Sequence, residues 1–187
     1  RNGYGPDQSA AIVRAIQVYH VKANGWNDIG YNLLVDKYGQ VFEGRVGGVD
    51  RNVVGAHARG FNSGSVGIAL LGSYGNEAVS PEAEAALEAV LAWRLDVAHV
   101  DPLATATVVT GGNEKFAEGA SVALRAVCGN RDTGLTWCPG DTIYASVATD
   151  GSANSATLRA RWTFEDGQVV DDSTHTIAPN NRERTEF

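Results

Sequence analysis

Gly25-Trp26-Asn27-Asp28-Ile29-Gly30-Tyr31-Asn32-Leu33-Leu34-Val35-Asp36 is the stretch on which the fold turns. Its second half, Tyr31 to Asp36, has the length and apolar composition of a strand. Lys37-Tyr38-Gly39 supplies a turn, and Gln40 to Glu43 reads as the returning strand. On these grounds alone Tyr31 is a half-buried strand aromatic.

Upstream, Pro6 and Asp7 open a helix, where a proline and an acidic residue are both tolerated. Ile12, Ile16 and Tyr19 recur on one face, and the helix ends near Asn24-Gly25. Downstream, Gly44 to Gly60 reads as a glycine-rich loop, and Val66 to Leu71 as a strand buried on both faces. Ser80-Pro81 is an N-cap and first-turn pair for a helix with Ala83, Leu87, Val90, Leu91 and Val97 on its apolar stripe. Thr105 to Thr110 and Ser121 to Val127 read as strands around the polar segment Gly111 to Gly119, and Thr142 to Val147 as a last short helix. Strands mixed with helices, without strict alternation, predict an α/β protein with a mixed sheet.

The 187 residues suffice for one ordinary domain and a short extension. A net charge of -7 argues against nucleic acid or an anionic membrane as the main partner. No run of about 18 apolar residues is available to span a bilayer. The chain starts at Arg1 without Met and reads as a piece of a longer protein. Composition shifts after Ala148, where Thr149 to Ser155 forms a small polar linker. A boundary near residue 150 divides a domain at 1–149 from an extension at 150–187, in which Thr157 to Val170 alternates as a strand pair.

A second stretch carries chemistry. Gly129-Asn130-Arg131-Asp132, followed by Thr136-Trp137-Cys138-Pro139-Gly140, has the form of half a zinc site. Catalytic zinc takes about three protein ligands and keeps one position open. Cys138 suits that role, whereas the neutral amide of Asn130 is a poor substitute for imidazole. Cys128, in the apolar run Val122 to Val127, reads as a small buried hydrophobe. By themselves His20 and His57 are packing or surface histidines, and His99 complements a helix C-terminus.

Taken together, several runs resemble one family. They are Tyr19-His20, Gly25 to Asp36, Gly39, Glu43-Gly44-Arg45, Gly55-Ala56-His57-Ala58, Asn62, Ser65 to Ala69, Gly72 and Gly129 to Asp141. In this order they resemble the peptidoglycan recognition protein and type 2 N-acetylmuramoyl-L-alanine amidase family over about residues 2 to 147. The resemblance implies a mixed central β-sheet flanked by helices and a groove for a glycan–peptide stem. The family's first strand, with its His-His-Thr motif, is absent, because Asn2-Gly3-Tyr4 matches the segment just after it.

The same resemblance implies site residues. Tyr31 falls on the catalytic tyrosine and Thr136 on a position that polarises the scissile carbonyl. His20, His57 and Asn62 fall on positions that contact muramyl group or stem peptide. Zinc is the implied cofactor, with Cys138 at one ligand position and Asn130 where the family has a histidine. The implied activity is zinc-dependent hydrolysis of the lactyl–L-alanine amide of peptidoglycan by a secreted or cell-wall-associated protein. With two ligands of three missing, a non-catalytic recognition module is the alternative. Val169 to Thr176 ends in His-Thr, a faint echo of the missing motif that would make His175 a substitute ligand. Against that, Trp162 to Gly167 with Asp171-Asp172-Ser173 resembles the start of a concanavalin-like sandwich domain.

Overall fold

Leu33–Val35 (β1) lies at the centre of a three-stranded sheet, buried along its whole length. It runs antiparallel to Val41–Glu43 (β2), with Leu34 opposite Phe42, and parallel to Ile68–Leu70 (β3), with Leu34 opposite Ala69. The sheet is therefore mixed, as strands and helices without strict alternation predict. The computed structural model describes residues 2–140 in full and the backbone of 156–163 and 169–177.

The helix foreseen from Pro6 begins as a short 3-10 turn, Pro6–Gln8, and continues as α1, Ser9–Lys22. Ile12, Val13 and Ile16 pack against the core formed by Ile29, Leu34 and Leu71. Tyr19 does not join them and is 60% exposed. His20, four residues after Ile16, follows the packed face instead and leaves Tyr19 at its edge.

Asp36 closes β1 and organises the hairpin to β2. Its carboxylate accepts from the backbone N–H of Tyr38 (2.9 Å) and Gln40 (2.8 Å), from Gln40 Nε2 (2.9 Å) and from the Ser9 hydroxyl. One buried side chain thus joins α1, the turn and both strands. β3 is only half-buried, contrary to the fully buried strand read from Val66 to Leu71. The reason is its place: in the order β2-β1-β3 it is an edge of this sheet among the described residues.

Pro81–Val97 forms α2, and Ser80 caps it by accepting from Ala83 N at 3.3 Å while donating its hydroxyl to the Lys37 carbonyl. Ser80→Ala removes both bonds and is expected to cost about 1–2 kcal/mol, read as a lower urea midpoint with an unchanged slope. A shift under about 0.3 kcal/mol would remove the cap from the account.

The buried positions of α2 are Ala83, Val90 and Arg94, whereas Val97 is exposed. Arg94, only 5% exposed, donates Nη1 to Val49 O at 2.7 Å and Nη2 to Arg51 O at 3.4 Å. A guanidinium occupies the core-facing stripe because loop carbonyls there accept from it.

Thr105–Val109 (β4) and Ser121–Arg125 (β5) form an antiparallel hairpin. Cys128 lies beyond the end of β5 and is exposed, so it is not a buried hydrophobe. A four-residue helix, Asn130–Thr133 (α3), follows. Ala156–Thr163 (β6) and Val169–Ile177 (β7) pair antiparallel, as the alternation after residue 156 predicts, with His175 in register with Leu158. The helix expected at Thr142 to Val147, the linker at Thr149 to Ser155 and the His175 side chain lie outside the described residues.

Candidate functional site

Four rings form a row beside the N-terminal end of β1. Trp26 and His20 have ring centroids 4.7 Å apart, His20 and Tyr31 6.2 Å, and Tyr31 stacks on His57 at 6.4 Å and 19°. They come from α1, the segment after it, the entry to β1 and the 44–67 loop region. The row exists because Asp28 and Asn32 pin the backbone between them. Asp28 accepts from Gln17 Nε2 (2.7 Å), Ile29 N (2.7 Å) and Val46 N (2.9 Å). Burial opposes its charge, but those donors and the Arg45 charge outweigh it and hold its pKa below the usual carboxylate value. Asn32 donates to Val53 O at 2.8 Å and accepts from Gly67 N at 2.9 Å.

His57 is seated by backbone as much as by side chains. Its own N–H and that of Ala58 both donate to Asn62 Oδ1 at 2.8 Å. A Cβ on Gly67 would overlap the His57 ring, so only glycine lets β3 begin this close to it. Burial first, and the Arg45 guanidinium second, lower the His57 pKa to about 4. His20 is lowered for the same two reasons, and its Nδ1 accepts from Gly30 N at 3.1 Å. Both imidazoles are neutral at physiological pH and can act as donors or acceptors toward a ligand. Burial, and next the neighbouring Cys138 sulfur, raise the Tyr31 pKa and keep its hydroxyl protonated.

All seven residues singled out from the sequence fall in one connected neighbourhood. Asn130 Nδ2 donates to His57 O at 3.3 Å. Cys138 lies close enough to Tyr31 to shift its titration, and its N–H donates to Thr136 Oγ1 at 3.2 Å. Asn62 serves the site by fixing the His57 loop. Three contributors were not singled out as site residues. Trp26 extends the ring row and Arg45 supplies the field felt by both histidines. Asn113 donates to Arg59 O (2.8 Å) and Thr133 O (2.7 Å), tying the β4–β5 connection to the His57 loop and to α3. Trp26 and Arg45 stand inside the motifs quoted above; Asn113, in a polar loop, carries no comparable signal.

The donors here do not fit a catalytic zinc. Among the described residues no three His, Cys, Asp or Glu side chains converge on one point. Asn130 turns its amide nitrogen toward a carbonyl, and an amide oxygen is in any case a weak partner for this metal. That leaves the Cys138 sulfur as the one good ligand of the expected set.

The N-acetylmuramoyl-L-alanine amidase family (Amidase_2) matches residues 5–141 of this chain. Peptidoglycan-recognition protein SC2 of Drosophila simulans is 33% identical over 137 residues, covering 73% of this chain and 61% of that protein. An N-acetylmuramoyl-L-alanine amidase of Sus scrofa is 36% identical over 140 residues, covering 75% of this chain and 19% of that one. The chain thus spans about three fifths of the recognition protein and a fifth of the amidase. The structure of Drosophila PGRP-LB superposes with a TM-score of 0.60 at 26% identity, covering 78% of this chain and 71% of that one. The mixed sheet and its helices agree with this match, which extends through the Cys138 turn, and the chain belongs to the N-acetylmuramoyl-L-alanine amidase family.

Proposed function

We propose that this domain binds the muramyl-peptide unit of peptidoglycan, outside the cell or at the cell wall, and that its described residues do not by themselves make a zinc amidase. The observation that carries the reading is the contrast between an intact ring row and the Asn130 amide at a metal position. Trp26, His20, Tyr31 and His57 offer flat apolar faces edged by neutral donors and acceptors, which suit a muramyl-peptide with its lactyl group and peptide amides. The relatives named for peptidoglycan recognition support the substrate class.

Retention on insoluble peptidoglycan tests binding. His57→Ala removes one end of the row and is expected to weaken retention about tenfold or more, the size of a hot-spot truncation. Equal retention of both proteins would sink the proposal.

Hydrolysis is the second reading, favoured by Tyr31 and Cys138 standing together. Metal analysis of the full chain, run beside an assay for stem-peptide release, separates the two. The expected result is less than stoichiometric zinc and no release. One zinc per chain with release would make the domain an amidase, with ligands supplied from outside the described residues.

A further inference from the structure

We propose that Trp137 is a stacking platform for a pyranose ring of the peptidoglycan glycan strand, so that the site reads the sugar backbone as well as the peptide. The inference rests on the peptidoglycan-binding reading above and extends it to the polymer.

The Trp137 side chain is 84% exposed and that of Leu135, two residues earlier, 74%. A single exposed apolar side chain needs no explanation. This one differs in how firmly its backbone is mounted. The Trp137 carbonyl accepts from Arg131 Nη2 at 2.8 Å and from Gly140 N at 2.9 Å. Cys138 O accepts from Arg131 N at 3.0 Å, and Thr136 N donates to Gly134 O at 3.1 Å. Gly140, at φ +101°, brings the turn against the Tyr74 backbone, where a Cβ would meet Tyr74 O at 2.5 Å. A fixed backbone presenting an exposed indole is partly preorganised: only the side-chain rotamer remains to be ordered when a ligand arrives.

The surroundings specify the ligand. Trp137 and Leu135 border an open concavity of about 390 Å³ shared with Lys115, Arg131, Gly134 and Thr136. Lys115 Nζ donates to Arg131 O (2.7 Å) and Asp132 O (3.0 Å), which places a cation at the rim. A pyranose has one face of C–H groups, which suits the electron-rich face of indole, and a rim of hydroxyl and acetamido oxygens, which suits such donors. Two apolar side chains are far too few for a protein partner, which needs about 800 Å² a side. A net charge of -7 disfavours a phosphate backbone.

Position points to this glycan rather than a free sugar. Arg131 lines the concavity and donates to the Trp137 carbonyl, and its neighbour Asn130 donates Nδ2 to His57 O of the ring row. A sugar on Trp137 would therefore adjoin whatever muramyl unit the ring row holds.

Calorimetric titration of the full chain tests this with two ligands: a disaccharide muropeptide, and the same lactyl-peptide stripped of both sugars. Trp137→Ala is expected to weaken the disaccharide ligand about tenfold while changing the sugar-free ligand less than twofold. Trp137→Phe, which keeps an aromatic face, should recover part of the loss. Equal losses for both ligands, or none for the disaccharide, would overturn the platform while leaving peptidoglycan binding standing. Wild-type protein that binds neither ligand would overturn both.

Discussion

Replacing Asp36 by alanine is expected to destabilise the domain by about 3–5 kcal/mol, the range for breaking a buried, fully hydrogen-bonded charge network. Asp36 is 0% exposed, and so is Ser9, one of its donors. The substitution leaves the Tyr38 and Gln40 backbone N–H groups, the Gln40 amide and the Ser9 hydroxyl without their shared acceptor. Each unsatisfied buried donor costs about 1–3 kcal/mol, and water reaching the turn recovers only part of that. Against a typical total of about 5–15 kcal/mol the loss is severe. Asp36→Asn keeps acceptor oxygen on one side and should cost less, about 1–2 kcal/mol. Urea titration decides the matter through the midpoint at constant slope. A loss under about 1 kcal/mol for the alanine variant would mean the hairpin is held by other contacts.

Acidification from pH 6.5 to pH 4 is expected to weaken the fold by about 2–3 kcal/mol through His57, since one pKa unit is about 1.4 kcal/mol. The folded-state pKa is depressed to about 4 by burial and by Arg45. Between that value and the ordinary one near 6.5, the unfolded chain binds more protons than the folded chain. Stability is therefore complete above about pH 6.5 and is lost as pH falls toward the folded pKa. His20, lowered for the same reasons, adds to the slope over its own window. Asp28, whose folded pKa is depressed, contributes stability above the ordinary carboxylate pKa that is lost at still lower pH. His57→Gln should flatten the pH 4–6.5 slope and leave the part due to His20. An unaltered slope in that variant would place the proton uptake elsewhere.

Much of the scaffold was legible because it is local. Apolar composition with a turn signal gives β1 and β2, and the Ser80-Pro81 pair gives the start of α2, without reference to the rest of the chain. The ring row was legible only through family motifs, since nothing in the spacing of His20, Tyr31 and His57 says that they meet. What was missed depends on distant partners. Arg94 is buried because carbonyls 43 and 45 residues away accept from it, and helical periodicity cannot register them. Tyr19 fits the spacing of the apolar face yet is displaced from it by His20, which the ring row fixes in place. Cys128 follows apolar residues, but β5 ends at Arg125 and leaves it at the surface.

Asn130 stands on a four-residue helix anchored by hydrogen bonds within the chain. Gly129 N donates to Asp132 Oδ2 at 2.8 Å, Arg131 N to Cys138 O at 3.0 Å, and Asn113 Nδ2 to Thr133 O at 2.7 Å. In small metal-built domains the ion's binding energy is the folding energy, so a lost ligand is a lost fold. Here backbone and neighbouring side-chain bonds hold the segment, and a change at position 130 costs the one side-chain bond to His57 O. Such modularity separates the residue that would meet a ligand from the bonds that give the groove its shape.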